Sequence, residues 1–366
     1  MGTSVDSPRT SFRELFLTGT KLGLISFGGP LAAVGIIQRE VVERKRWVDA
    51  DWYASAIAFT NLIPGPTATE VVIYVGYARR GVLGGLVTGL CYIYPAFLIM
   101  LALSWAYFRW GMVPAVGGLV YGLTPAAVGV LLWAAWNMAR ASVKDALEVA
   151  LLLAGFLLVW YAQWQVAWVI VLGGAAGLLR AWRGGALLSV APTLWILFWK
   201  MFKAGALLFG GGYVIVPFLA QDFVYDLGWL TPKEFLVAFA LGKATPGPLS
   251  ITATFIGFKA AGLFGALVAT VGVFLPGFVV LLALAPFFER LRRWSAAKYL
   301  LGGLKAAAVG AILAASAELV VQSMPDWTSV GILLASVASC FWIETSWVFL
   351  AAALLGLALS LAGRTA

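Results

Sequence analysis

Histidine is absent from this chain of 366 residues, and cysteine occurs only as Cys91 and Cys340. Without histidine, the chain lacks the commonest metal ligand and the usual proton carrier near neutral pH. Two cysteines, each inside an apolar stretch, supply neither a disulfide framework nor the spacing of a zinc site. Charge is scarce as well: 11% of residues are charged, against about 25% in an average soluble domain. Acids are the scarcer sign, 16 against 25 bases. An intramembrane enzyme would need a nucleophile, a metal or a cluster of carboxylates. None is evident, so the reading is not an enzyme, with no cofactor and no metal.

What is abundant is apolar surface. Hydrophobic residues make up 62% of the chain, with a mean hydropathy of +0.95, too much for a water-facing fold to hide. Its solvent is therefore a lipid bilayer. Several of the 17 Trp flank apolar runs (Trp47, Trp110, Trp182, Trp229, Trp294), as in interfacial belts or, equally, as bulky packing within a bundle. The net charge of +9 sits in short loops, where it reads as a topology signal rather than a nucleic-acid surface. The first fifteen residues are polar and carry no cleavable-signal pattern.

The chain repeats itself. Phe27-Gly28-Gly29 recurs as Phe209-Gly210-Gly211, an offset of 182 (209 − 27). The same offset maps Lys21 on Lys203, Trp47 on Trp229, and Pro64-Gly65-Pro66 on Pro246-Gly247-Pro248. One residue is then lost: Gly76 matches Gly257, Pro95 matches Pro276 and Gly129 matches Gly310, an offset of 181. A single gap over so many matches marks an internal duplication.

The expected fold is an all-α polytopic membrane protein of two repeats, with roughly ten to twelve helical segments in all. The divisions are an N-terminal tail at 1–11, a first repeat at 12–183, a linker at 184–192 and a second repeat at 193–366. Each half reads as a helix near 12–36 (193–218), then a polar connector. An apolar pair interrupted by Pro-Gly-Pro follows at 52–78 (234–259), then a long helix at 82–108 (263–288) and another at 114–139 (299–322). Two short apolar runs close each half, 146–160 with 164–181, and 329–342 with 346–362.

Charge orients the halves. The first connector holds Arg39, Arg44, Lys45 and Arg46, whereas the second holds Asp222 and Asp226 and no base before Lys233. After the long helix the bias reverses: Arg109 alone, against Arg290, Arg292, Arg293 and Lys298. Equivalent loops then face opposite sides, and the repeats are inverted.

Inverted repeats with paired broken helices place substrate near the bilayer midplane. The breaks are Asn61 to Thr67 and Lys243 to Leu249. Proline cannot continue a helix, and glycine tolerates unusual backbone angles. Basic residues on both sides of 52–78 favour a re-entrant hairpin with Pro-Gly-Pro at its tip. Free N–H groups after the second proline, around Thr67, Thr69 and Ser250, suit an anion. Alternatively, the breaks only shape packing.

The charged candidates are Lys21, Lys203 and Lys243, the last standing where half one has Asn61. They read either as anion ligands or, for Lys21 and Lys203, as side chains that snorkel to headgroups. Glu70 reads as a proton-coupling site or as a helix-end acid. The substrate-binding candidates are thus Lys21, Gly28, Gly29, Asn61, Pro64, Gly65, Pro66, Thr67 and Thr69 in half one. In half two they are Lys203, Gly210, Gly211, Lys243, Thr245, Pro246, Gly247, Pro248 and Ser250.

These residues resemble a known family. Phe27-Gly28-Gly29-Pro30, Gln38-Arg39-Glu40 with Trp47, and Pro64-Gly65-Pro66 carry the likeness in half one. Phe209-Gly210-Gly211-Gly212, Trp229 and Thr245-Pro246-Gly247-Pro248 carry it in half two. Over about residues 12–360 the chain looks like the chromate ion transporter family in its long, two-domain form. The resemblance implies a multi-pass protein of the cytoplasmic (inner) membrane that exports chromate and confers chromate resistance, with sulfate as a look-alike anion. A sulfate or molybdate importer and a passive anion channel are the competing readings, and a homodimer is an admissible assembly. Gly212 replaces Pro30 in half two, so the two halves need not act identically.

Overall fold

In the computed structural model the described residues are 10–26, 30–61, 63–110, 114–142, 146–160, 192–209, 212–287, 307, 309–317, 319–320, 324 and 326–361. Among them there is no strand. Three helices among the described residues, Thr67–Trp110, Gly117–Arg140 and Leu249–Phe287, are long and apolar enough to cross a membrane. The protein is an all-α membrane protein.

The leading helix differs from expectation. Rather than one helix over 12–36, α1 (Phe12–Ile25) stops at Ser26, whose ψ of 77° is not helical. The chain resumes as α2 (Pro30–Gln38) and runs into a π-helical turn, Arg39–Arg44, where a polar connector was expected. The second half repeats this: α7 (Pro192–Ala206), a 3-10 turn Gly212–Val214, α8 (Ile215–Ala220) and a π-helical turn Gln221–Asp226. Glycines without side chains, and in half one Pro30 without an N–H, make continuation weak there. The Phe-Gly-Gly glycines themselves lie outside the described residues.

In half one α3 (Ala50–Thr60) starts where the Asp49 carboxylate accepts the Trp52 N–H at 2.7 Å. It leads through Pro-Gly-Pro into α4 (Thr67–Trp110). As a straight rod its 44 residues would run about 66 Å, over twice the roughly 30 Å hydrocarbon core. Instead α4 folds at Arg80-Gly81, where Gly81 has a φ of +61°. Its inner arm (67–79) and outer arm (82–110) lie antiparallel, with Gly76 against the Gly84 carbonyl and Gly85 against Ile73. In half two α9 (Pro232–Ala244) opens with a Thr231/Glu234 capping box. A 3-10 turn at Leu249–Ile251 then enters α10 (Thr252–Leu284), which folds at Ala261-Gly262, with a φ of +59° at the glycine.

Each Pro-Gly-Pro is the tip of a helical hairpin. Trp52 stacks on Tyr74 with centroids 4.9 Å apart, and Arg79 donates to the Trp47 carbonyl at 3.2 Å. The outer ends of α3 and the inner arm of α4 therefore meet, with Pro-Gly-Pro at the far end. Lys259 and Glu234, 2.8 Å apart, close the corresponding hairpin in half two.

α1 packs on α4, α7 on α10, and α4 meets α10 at the centre. The remaining helices cross between halves. α5 (Pro114–Ser142) packs on α11 (Trp327–Ser339) and α12 (Thr345–Leu361) of the second half. Gly129 faces the Leu333 carbonyl, and Gly310 faces the Leu152 carbonyl on α6 (Ala146–Trp160). Both pairs obey one offset (310 − 129 = 333 − 152 = 181). The expected run at 164–181, half of 299–322 and the basic loop with Arg290, Arg292, Arg293 and Lys298 lie outside the described residues.

Candidate functional site

The two hairpin tips meet at the centre of the protein. Gly65 and Gly247 have φ of +142° and +103°, a region that side chains rarely tolerate. These angles turn each tip so that its glycine N–H reaches the other half. Gly65 donates to Leu208 and Gly247 to Ser26, each the residue just before a Phe-Gly-Gly motif in sequence.

Between the tips lies a cavity of about 30 Å³, room for about two or three water-sized groups. Pro66, Thr67 and Ala68 line it from one tip, and Gly247, Pro248 and Leu249 from the other. Thus the first residues of both post-proline helices border the same space. The leading N–H groups of a helix have no partner within it, and its N-terminus carries partial positive charge. Two such ends facing one cavity suit an anion.

Lys243 adds a full positive charge. It is buried to 6% exposure, lines the cavity, and holds its ammonium 6.0 Å from the ring centroid of Tyr213. No ion pair forms to it among the described residues. Thr245 and Gly242 complete its neighbourhood, the Thr245 hydroxyl donating to the Leu241 carbonyl at 2.8 Å. In half one the corresponding Asn61 accepts from the Thr67 hydroxyl at 3.2 Å instead.

Of the three lysines expected around one site, only Lys243 lines the cavity. Lys21 lies 2.5 Å from Glu40, and Lys203 lies 2.7 Å from Asp222. Both acids sit in the π-helical turns and are buried, Glu40 backed by Arg44 at 3.2 Å and Asp222 by Lys200 at 2.6 Å. The break in the leading helix folds the π turn back beside α1 or α7, so each lysine meets a carboxylate before it can reach the tips. The repeat alignment carried this signal, since Glu40 and Asp222 are related by 182 (222 − 40).

Thr69 and Ser250 flank the tips; their hydroxyls are buried without a hydrogen-bond partner, and they are related by 181 (250 − 69). Pro64 and Pro246 open the two turns, and the Pro64 carbonyl faces Gly277 on α10. Glu70 is buried in the first turn of α4, and neither of its oxygens has a hydrogen-bond partner. Gly28, Gly29, Gly210 and Gly211 are outside the described residues. Sequence reasoning missed five further wall residues, Ser26, Ala33, Gly212, Tyr213 and Gly242. Ser26, Gly212 and Tyr213 stand next to the Phe-Gly-Gly motifs in sequence, a signal that could have found them.

Comparison with known proteins agrees with this doubled architecture. The sequence profile of the chromate transporter family matches residues 13–178 and 195–357, segments that start 182 apart (195 − 13). The chain is 34% identical over 365 residues to a chromate transport protein of Cupriavidus metallidurans, covering 92% of this chain and 90% of that protein. It is 34% identical over 345 residues to a probable chromate transport protein of Synechococcus elongatus, covering 87% of both. A chromate transport protein of Pseudomonas aeruginosa is 33% identical over 349 residues, covering 87% of this chain and 83% of that one. No solved structure matches the chain.

Proposed function

The chain belongs to the chromate transporter family, and we propose that it is a secondary transporter carrying chromate out across the cytoplasmic membrane, thereby conferring chromate resistance. The observation that carries this reading is the central cavity, bordered by two helix N-termini and the buried Lys243. A tetrahedral dianion would accept hydrogen bonds from the first N–H groups on either side, and Lys243 would offset part of its charge. The names of the relatives support chromate as the substrate, and the chemistry of the cavity supports an anion there.

Two inverted repeats fit the same reading. The two tips approach the centre from opposite halves, so rocking one half against the other would open the cavity to each side in turn. Energetics favour export. A dianion leaving a negative cytosol through 100 mV gains about 4.6 kcal/mol, enough to sustain a gradient of about three powers of ten.

The test is flux of labelled chromate and sulfate in proteoliposomes held at set membrane potentials. A saturable chromate flux that follows an imposed potential and falls sharply in Lys243→Met is expected. Preferential sulfate or molybdate uptake would replace the exporter by an importer, and a flux that never saturates would replace the carrier by a channel.

A further inference from the structure

Glu70 has no part in the anion cavity as described. It is 1% exposed, and its side chain folds back from the first turn of α4 to lie against Gly65. The same carboxyl oxygen also faces Gly277 of α10, whose missing side chain leaves the space that the carboxyl and the Pro64 carbonyl border. The repeat breaks its symmetry at this point. Half one has Ala96 where half two has Gly277 (277 − 96 = 181), and half two has Ile251 or Thr252 where half one has Glu70. The protein thus holds one carboxyl, and one gap to receive it, for two helix ends.

Among the described residues no side chain forms an ion pair or a hydrogen bond with this carboxyl. On α1, Glu14 pairs with Lys45 and Lys21 with Glu40, while Glu234 of α9 pairs with Lys259 of α10. On its own helix, Arg79 bonds to Thr10 and Trp47, and Arg80 to Thr10. Lys243 of α9 lies over Tyr213, and Tyr53 of α3 donates to the Val34 carbonyl. An ionised carboxylate there would be a buried charge without a counter-ion, a strongly unfavourable state.

We propose that Glu70 is a proton-binding site linked to the oxyanion site, so that one proton is taken up with each dianion; this rests on the oxyanion reading above. The proton comes from water and forms an O–H bond on a Glu70 carboxyl oxygen, taking the side chain from −1 to neutral, and it returns to water on release. Both ligands act on one helix end. Thr67 and Ala68 line the cavity, and Glu70 lies in the same first turn. A carboxylate there repels the incoming anion and offsets the positive end of the helix, whereas the neutral acid leaves that end to the anion. Each ligand therefore favours the other, and reciprocally. The charge moved with each dianion falls from −2 to −1, which halves the drive that the membrane potential gives export.

The experiment is equilibrium binding of chromate to the purified full chain across pH, for wild type, Glu70→Gln and Lys243→Met. Chromate's own titration is common to wild type and Glu70→Gln and cancels in the ratio of their dissociation constants. That ratio is expected to rise about tenfold per pH unit above the Glu70 midpoint, because only the wild type loses a proton there. Glu70→Gln should bind as the wild type does at low pH. A ratio that stays flat over the whole pH range in which the chain remains folded, with Lys243 still required, overturns the proton linkage alone. Binding that Lys243→Met leaves unchanged overturns the oxyanion site, and with it the shared helix end.

Discussion

Gly65 donates its backbone N–H to the carbonyl oxygen of Leu208 at 2.7 Å, and the counterpart bond runs from Gly247 to Ser26 at 2.9 Å. Donors and acceptors are both related by the repeat (247 − 65 = 208 − 26 = 182). Each hairpin tip is therefore pinned to the break in the other half's leading helix. Four segments of chain, two from each half, therefore meet beside the cavity.

Substituting either glycine should break this arrangement. A Cβ at Gly65 would collide with the Glu70 carboxyl, and one at Gly247 would lie 2.9 Å from the Ala96 Cβ, both at positive φ. Gly65→Ala and Gly247→Ala should each lose about 1–3 kcal/mol of stability, together with transport. Thermal unfolding in detergent, followed by tryptophan fluorescence, reads this; unfolding unchanged from wild type would mean that the tips are free.

Lys243 is expected to matter for binding and not for folding. Lys243→Met removes a buried charge that has no ion-pair partner among the described residues, so unfolding temperature should hold or rise. Chromate affinity should drop by about tenfold or more, the worth of a charge-assisted hydrogen bond. Tyr213→Phe keeps the ring beneath the ammonium and should bind nearly as wild type; Tyr213→Leu should bind more weakly. Titration of chromate into the three purified variants separates these outcomes.

The lysines at Lys21 and Lys203 should behave in the opposite way. Lys203→Met strands part of the charge on buried Asp222, with Lys200 still 2.6 Å away. About 1–2 kcal/mol of stability should be lost, since the lysine is partly exposed and the acid keeps one partner. The double variant Lys203→Met with Asp222→Asn should recover much of it, and chromate affinity should stay within about twofold throughout. A large loss of affinity in Lys203→Met, with folding intact, would return Lys203 to the anion site.

Sidedness tests the inverted arrangement. Arg44 and Asp226 are repeat equivalents (226 − 44 = 182) near the ends of the two π-helical turns. Single cysteines there, in a background lacking buried Cys91 and Cys340, should react with an impermeant thiol reagent from opposite faces of oriented vesicles. Labelling from one face would make the repeats parallel and leave alternating access without its symmetry.

Much of this protein was legible before any fold was in hand, because it follows from properties a residue carries with it. A proline has no N–H wherever it stands, so the breaks at Pro64–Pro66 and Pro246–Pro248 were readable from two short motifs. An apolar excess needs a bilayer, and a duplication needs only an offset. The hairpin turns at Gly81 and Gly262 were also marked, since they fall where the apolar pair was expected to end and the long helix to begin.

What only the tertiary structure decided is which residues meet. Lys21, Lys203 and Lys243 look alike in sequence, yet two end on carboxylates nineteen positions away and one lines the cavity. That choice depends on how sharply the chain turns at Ser26 and Leu208, which a period in sequence does not specify. The exchange of α5 onto α11 and α12, and the fit of Glu70 into the gap at Gly277, are decided in the same way. Helix breaks are local events of missing donors and missing side chains, whereas ion pairs and close contacts are set by where distant segments return in space.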